Sequence, residues 1–303
     1  MVDMDVHQPP LNTTLMGVIK GAADYYGKDL SVPVLFGRTG HAFALNIAPG
    51  LCPSAPYVWN MEKLDRLLDN CGLEIIRHGF FDGESSPRDR KKLEDILRCR
   101  LSEGRPCAML NLDNQLISGF DETGFLCVQP WKCDFPPAHL TFGSWSELQD
   151  EIHICFFSFN EKELPQPLKA AADSLECALD MANDPESYAM PGYTFGPRAY
   201  ETWKKAIEEG HGVDHGGWWN GTVWSECRAM ASEYFKHLGK TIPNCSSESM
   251  ELAEIYHSIA KNLKTVSDNK EDPGKKMQLL DRSREMEEKA MGSVGELINM
   301  LQG

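Results

Sequence analysis

Three side chains early in the chain could do chemistry together. Arg38 and His41 lie in "GRTGH", and Cys52 follows in "GLCPSAP". A cysteine is activated when a nearby imidazole takes its proton, so a Cys52/His41 pair would suit acyl transfer through a thioester. Arg38 could bind a carboxylate or a phosphate through its guanidinium. The structural alternative is a buried His41 bonded to a backbone carbonyl, a loop or core Cys52 and a solvated Arg38.

The glycines around Arg38 do not form a phosphate-binding loop of the P-loop type. That loop needs the pattern GxxxxGK(S/T) between a strand and a helix. Here "GRTGH" is followed by the apolar run "AFALNI", which is typical of a buried strand. We therefore expect the glycines to give a tight turn before a strand, with His41 at the edge of a cleft.

A second candidate stretch is "HGVDHGGWWN". His211, Asp214 and His215 are close enough in sequence to suggest metal binding. Four glycines, at 210, 212, 216 and 217, argue against the regular helix that would align such ligands. The sequence favours a flexible loop and no metal.

Aromatic side chains in a glycine-rich loop often face a ligand. Trp218 and Trp219 are therefore predicted to bind a ligand, together with Asn220. The alternative is that they pack between helices.

Composition limits the partners. The chain has 303 residues and a formal net charge of −15, which disfavours nucleic acid and anionic membrane surfaces. The start "MVDMDVHQPP" lacks the features of a signal peptide, and no apolar run is long enough to span a membrane, so we expect a cytoplasmic protein. Ten scattered cysteines without a CxxC pair indicate reduced, mostly buried thiols and no structural zinc. No cofactor is predicted.

The elements that must position these residues divide the chain in two. Apolar residues at helical spacing predict a first helix that ends at Gly27: Leu15, Val18, Ile19, Ala22, Ala23 and Tyr26. Strands are predicted from Leu73, at "PCAMLNL", in the hairpin "QLISGFDETGFLCVQPW" and at "HICFFSF". From Leu168 the apolar pattern is helical. We expect an α+β fold, with an α/β domain over 1–163 that contains a mainly antiparallel sheet, and an all-helical domain over 164–303.

This order of elements resembles the papain-like cysteine peptidases. The stretches "TLMGVIKGAADYYGKDLSVPVLFGRTGHAF", "LSEGRPCAML" and "LISGFDETGFLCVQPW" are similar to the double-glycine-leader peptidases and to the N-terminal domain of the butirosin biosynthesis protein H family. The resemblance covers about the first 160 residues. It implies a papain-like fold and, for the butirosin relatives, acyl transfer, with an acyl-carrier protein as a possible partner.

The resemblance also implies three catalytic positions. The nucleophilic cysteine of the peptidases corresponds to Thr14, the histidine to Asn114 or Gln115, and the orienting aspartate to Gln129. None of the three residue types matches. A threonine without a base is a poor nucleophile, so we expect no peptidase activity.

Three functions remain open. The first is binding of a small molecule or peptide in a cleft between the two domains, lined by Arg38, His41 and Gln115 on one side and by Trp218, Trp219 and Asn220 on the other. The second is acyl or aminoacyl transfer in specialised metabolism, with Cys52 and His41. The third is a hydrolase with a relocated nucleophile.

Overall fold

The computed structural model describes residues 1–131, 136–150 and 152–302. Cys133, one of the ten cysteines, lies outside the described residues. By internal contacts the chain forms two compact units: the first comprises Met1–Leu30 and Cys71–Leu164, and the second comprises Ser31–Asn70 and the chain from Pro165 onward. The units are therefore not consecutive halves. The sequence analysis places 31–70 in the first domain, whereas the structure places this segment in the helical unit.

All the longer strands of the described residues lie in the first unit. In chain order they are β1 Val2–Asp3, β2 Asn46–Ile47, β3 Leu73–Asp82, β4 Cys107–Asn111, β5 Asp113–Phe120, β6 Gly124–Cys127, β7 His139–Thr141, β8 His153–Glu161 and β9 Thr194–Phe195. The sheet of the first unit has the order β3-β8-β4-β5-β6-β7, with β1 paired to β5. Its neighbouring strands are antiparallel.

The helices carry most of the second unit. They are α1 Thr14–Tyr25, α2 Val32–Arg38, α3 Glu62–Leu67, α4 Pro87–Ser102, α5 Pro167–Asn183, α6 Ala199–Glu208, α7 His215–Thr241, α8 Ser246–Val266 and α9 Pro273–Gln302. Only α1 and α4 belong to the first unit. The predicted α+β class, with a mainly antiparallel sheet followed by a helical C-terminal region, is confirmed.

The first unit follows local sequence rules closely. Helix α1 buries five of the six residues of its predicted apolar stripe; the sixth, Tyr26, follows the helix and is half-buried. Gly27 comes next, at a φ of +67°. In α4 the apolar residues Leu93, Leu97 and Leu101 recur every four positions. They pack in one hydrophobic core with residues of the sheet and with Trp145. The Ser86 side chain caps α4 by accepting a hydrogen bond from the backbone N–H of Asp89 at 3.1 Å.

The stretch 35–47 differs from the prediction of a turn and a long strand. Leu35 and Arg38 lie in α2, which has a proline in its first turn, a position that favours helix initiation. A 3₁₀ turn at His41–Phe43 follows, and the strand is reduced to β2, which pairs with β9. The predicted tight turn is present at Gly40, whose φ of +72° suits glycine.

No helix in the described part of the chain is both long enough and apolar enough to cross a membrane.

Candidate functional site

Thr14 and Asn114, two of the positions matched to catalytic residues, meet in the first unit. Thr14 is the first residue of α1, and its Oγ1 accepts hydrogen bonds from the backbone N–H of Asn114 at 3.0 Å and from Asn114 Nδ2 at 3.2 Å. Thr14 is fully buried and Asn114 is 2% exposed. The hydroxyl is therefore engaged and shielded, which does not suit a nucleophile.

The side chains of Gln115 and Gln129 donate hydrogen bonds to backbone carbonyls at the end of the hairpin and just beyond it. Gln115 Nε2 donates to the carbonyls of Val128 at 3.1 Å and Pro137 at 2.9 Å, and Gln129 Nε2 donates to that of Pro136 at 2.8 Å. Gln115 is buried, so its amide N–H groups serve backbone acceptors and are not presented to solvent. These contacts give both glutamines a structural role.

Sequence reasoning missed Gln8, which is hydrogen-bonded to the same strand as Thr14. Its Nε2 donates to the Asn114 carbonyl at 2.8 Å, and its Oε1 accepts from the Leu116 backbone N–H at 2.9 Å. Gln8 lies outside any regular element, more than a hundred residues from its partners, so no local pattern marks it. We call Gln8, Thr14 and Asn114 the Thr14 cluster.

Arg38 closes a local contact in the second unit. Its Nη1 donates to the Asn70 carbonyl at 3.2 Å, and Asn70 Nδ2 donates to the Arg38 carbonyl at 3.3 Å. The neighbouring Gly37 is required by packing, since a Cβ there would lie 2.1 Å from the Tyr234 ring. Arg38 thus ties α2 to Asn70, at the end of segment 31–70.

His41 lies in an apolar cage. Its ring is 1% exposed and lies 6.0 Å from the Phe36 ring and 5.7 Å from the Trp59 ring, measured between centroids. Neither ring nitrogen has a hydrogen-bond partner among the described residues, so the expected bond to a backbone carbonyl is absent. Burial, assisted by the positive charge of Arg228, lowers the pKa of His41 to about 3. The imidazole is neutral at pH 7 and is too weak a base to activate a thiol.

Cys52 is exposed and has other partners than His41. Its Sγ lies 2.9 Å from Ser54 Oγ, which lies 2.8 Å from the Tyr193 hydroxyl. The Cys52 carbonyl accepts a hydrogen bond from Asn220 Nδ2 at 3.3 Å. The structure therefore does not bring Cys52 and His41 into a hydrogen-bonded pair.

The stretch with Trp218, Trp219 and Asn220 is helical and is not the predicted glycine loop. It forms the first turns of α7, where the Asp214 side chain accepts from the Gly217 N–H at 2.9 Å. A Cβ at Gly216 would lie 2.0 Å from the Leu51 carbonyl oxygen. The glycines serve close approach between backbones, which outweighs their low helix propensity.

The three side chains of this stretch have different surroundings. Asn220 is buried and also donates to the Leu51 and Gly216 carbonyls. Trp219 is half-buried, whereas Trp218 is 38% exposed and lines an open groove with Lys264, Lys270 and Lys275. His211 Nδ1 lies 3.8 Å from Asp214 Oδ2. Across the described residues, no group of three or more His, Cys, Asp or Glu side chains is placed to hold a metal ion.

Most of the residues predicted on opposite sides of a domain cleft belong to one unit. Arg38, His41, Cys52, Trp218, Trp219 and Asn220 all lie in the second unit, and only Gln115 lies in the first. The structure groups them in this way because segment 31–70 folds with the helices of the second unit.

A different concave site occurs within the second unit. It has a volume of about 220 Å³ and is lined by residues of α5, α8 and α9, of the 3₁₀ turn at His41–Phe43 and the chain just after it, and of a second 3₁₀ turn at Gly196–Arg198. The lining residues are Phe43, Leu45, Ala178, Met181, Ala182, Asn183, Gly196, Pro197, Tyr256, Glu287, Glu288 and Met291. Most of the lining is apolar. Pockets with apolar walls and a few fixed polar groups are typical small-molecule sites. We call it the Glu287 pocket.

Glu287 is held by the buried Arg228 of α7. Arg228 Nε donates to Glu287 Oε1, and Arg228 Nη1 donates to the carbonyls of Ala42 at 3.1 Å and Ala44 at 2.6 Å. Burial alone would lower the pKa of Arg228, but the Glu287 carboxylate raises it above its usual value. The arginine is therefore charged, and its carboxylate partner is fixed in place.

Two tyrosines beside this ion pair keep their protons. Burial raises the pKa of both Tyr200 and Tyr256, and the negative charge of Glu287 adds to the effect. Perturbed titratable groups around a concave pocket are typical of functional sites.

Sequence reasoning missed Glu287 because it lies among many charged residues of the last helix. A partial signal exists in α7. One face of this helix carries residues at four-residue spacing: Asn220, Trp224 and Arg228. This face is buried, so the arginine on it is buried too. A buried arginine requires an acidic partner, but its position in sequence could not be inferred.

Comparison with known proteins adds no identity: no family model and no curated protein matches this chain.

Proposed function

We propose that the second unit binds a small molecule in the Glu287 pocket. The observation that carries this proposal is a concave, mostly apolar site with one carboxylate fixed by a buried arginine. A volume of about 220 Å³ suits a ligand of modest size and is too small for a peptide of several residues. Binding without catalysis is favoured because the described residues place no activated nucleophile at the pocket.

Acyl transfer by Cys52 and His41 is the weaker alternative. His41 is buried with a pKa of about 3, and Cys52 contacts Ser54 instead. No observation specifically favours this activity.

We also propose that the first unit is a papain-like domain that lacks peptidase activity. The proposal is supported by the meeting of Thr14, at the start of α1, with Asn114, near the start of the hairpin. It is tested by incubation with double-glycine leader peptides, for which we expect no cleavage. Cleavage that Thr14→Ala abolishes would contradict it.

The binding proposal is tested with a neutral probe, 2-phenylethanol, followed by saturation-transfer NMR. Ala182→Trp places a large side chain in the pocket, whereas Ala189→Trp adds the same side chain at a half-buried position outside its lining. We expect saturation transfer in the wild type and in Ala189→Trp, and its loss in Ala182→Trp. Equal signals in all three proteins would overturn the proposal.

A further inference from the structure

We infer that the ligand of the Glu287 pocket is an organic ammonium ion, a positively charged amine with an apolar group of about the size of a benzyl group. This inference rests on the proposed function and names its ligand class. It depends on the charges of the lining, the orientation of the buried ion pair and the aromatic rings at the site.

The charges of the lining have one sign. Glu287 and Glu288 both contribute, and none of the described residues that line the pocket is a lysine, an arginine or a histidine. An anionic ligand would meet two carboxylates without a basic partner. A ligand with a positive group would be attracted, and the protein's net charge of −15 favours its approach.

The buried ion pair does not cancel this preference. Arg228 is 1% exposed and Glu287 is 14% exposed, so the carboxylate is the member of the pair that reaches the pocket. Arg228 directs Nη1 away to the carbonyls of Ala42 and Ala44 and is not part of the lining. The pair therefore acts as a dipole with its negative end at the pocket.

Aromatic rings give a second source of attraction for a cation. The Phe43 and Tyr256 rings both line the pocket, and their centroids are 5.7 Å apart at an interplanar angle of 72°. The face of an aromatic ring attracts ammonium groups electrostatically. Met181 and Met291 supply adaptable apolar walls for the hydrocarbon part of the ligand.

Glu288 offers a weaker contribution that can be tested separately. It is exposed, and Arg284 Nε lies 3.8 Å from its carboxylate. An exposed carboxylate with one distant partner contributes little to stability. Its removal should therefore change ligand binding without unfolding the unit.

The experiment compares three matched probes on the full chain by isothermal titration calorimetry: 2-phenylethylammonium, 2-phenylethanol and 3-phenylpropanoate. They share a phenyl group and differ in charge. We expect the cation to bind about tenfold more tightly than the alcohol, as a charge-assisted hydrogen bond would give, and the anion to bind more weakly than both.

Variants connect the preference to the pocket. Glu288→Gln should lower the affinity of the cation about twofold and leave that of the alcohol unchanged, whereas Glu285→Gln, an exposed position on the same helix outside the lining, should change neither. Glu287→Gln should abolish the preference for the cation over the alcohol if this variant folds. If it does not fold, the three probes measured on the wild type test the inference.

Each outcome has a defined meaning. Equal binding of the alcohol and the cation, or tighter binding of the anion, would overturn the ammonium inference and leave the small-molecule proposal standing. Absence of binding by all three probes would overturn both. A preference for the cation that Glu285→Gln reduces as strongly as Glu288→Gln would place it outside the pocket and overturn the inference.

Discussion

Buried polar side chains have different surroundings in the two compact units. In the first unit, the Thr14 cluster satisfies its side chains through mutual and backbone hydrogen bonds. The second unit contains most of the buried polar atoms that have no hydrogen-bond partner among the described residues. They include side-chain atoms of His41, Trp203, Thr222 and Trp224.

This difference separates a structural role from a functional one. Satisfied buried networks fix a fold, whereas unsatisfied groups cost stability and are uncommon in native proteins. The Thr14 cluster is closed, although the resemblance to peptidases directs attention to it. The second unit has the unpaired groups, the perturbed titratable groups and the Glu287 pocket. Our proposal of a binding site therefore gives more weight to the hydrogen bonding of buried polar groups than to the match with catalytic positions.

The largest expected effect comes from breaking the buried ion pair. Glu287→Gln leaves the guanidinium of Arg228 buried without its carboxylate, which should lower the free energy of unfolding by about 3–5 kcal/mol. Urea denaturation followed by circular dichroism measures this. The exposed Glu285→Gln is the control and should change stability by less than about 0.5 kcal/mol. If both variants change the free energy of unfolding by the same small amount, the Arg228–Glu287 pair is not buried as described.

A smaller effect is expected from acid, through His41. Its pKa is about 3 in the folded state and about 6.5 when unfolded, so the unfolded state binds the proton first as the pH falls. Stability from this neutral imidazole is present above pH 6.5 and is lost as the pH falls toward 3. Between pH 7 and pH 5 the loss should be about 2 kcal/mol.

The control for this prediction removes the histidine. His41→Leu should lose about 2 kcal/mol less stability than the wild type between pH 7 and pH 5. His257→Leu, at an exposed position of α8, should retain the pH dependence of the wild type. Parallel curves for His41→Leu and the wild type would contradict a buried, neutral imidazole.

The comparison between the units can be sharpened with one substitution made in each. Thr14→Val keeps the shape of the side chain but removes the acceptor for both N–H groups of Asn114, so we expect a loss of about 1–3 kcal/mol. Thr265→Val, at a half-buried position of α8 whose hydroxyl bonds, among the described residues, only to the Lys261 carbonyl one turn earlier, should change stability by less than about 0.5 kcal/mol. Thermal unfolding of the three proteins provides the measurement. A neutral Thr14→Val would show that the cluster does not support the first unit.

The smallest effect, with the opposite sign, is expected at Thr222. Its hydroxyl is buried without a partner among the described residues, so Thr222→Val removes an unsatisfied group. We expect a change between zero and a gain of about 1 kcal/mol in the same thermal assay. A loss as large as that of Thr14→Val would mean that the Thr222 hydroxyl has a partner, and the contrast between the units would fail.

The sequence by itself determined the elements that depend on local periodicity. The apolar stripe of α1, the hairpin at "DETG" and the change to helical spacing after residue 164 all follow from side-chain period and turn residues, which act over a few positions. The resemblance directed attention to Thr14 and to Asn114 or Gln115, and the structure shows a hydrogen-bonded contact between Thr14 and Asn114.

Only the tertiary structure decided which residues meet in the second unit and line the Glu287 pocket. Segment 31–70 joins the helical unit, and the glycines before Trp218 begin a helix because Gly216 lies against the Leu51 carbonyl. Arg228 meets Glu287 fifty-nine positions later and the carbonyl of Ala44 at a separation of 184. Contacts at such separations depend on how whole elements pack. Local propensity and periodicity carry no information about them, which is why the Glu287 pocket could not be inferred from the sequence.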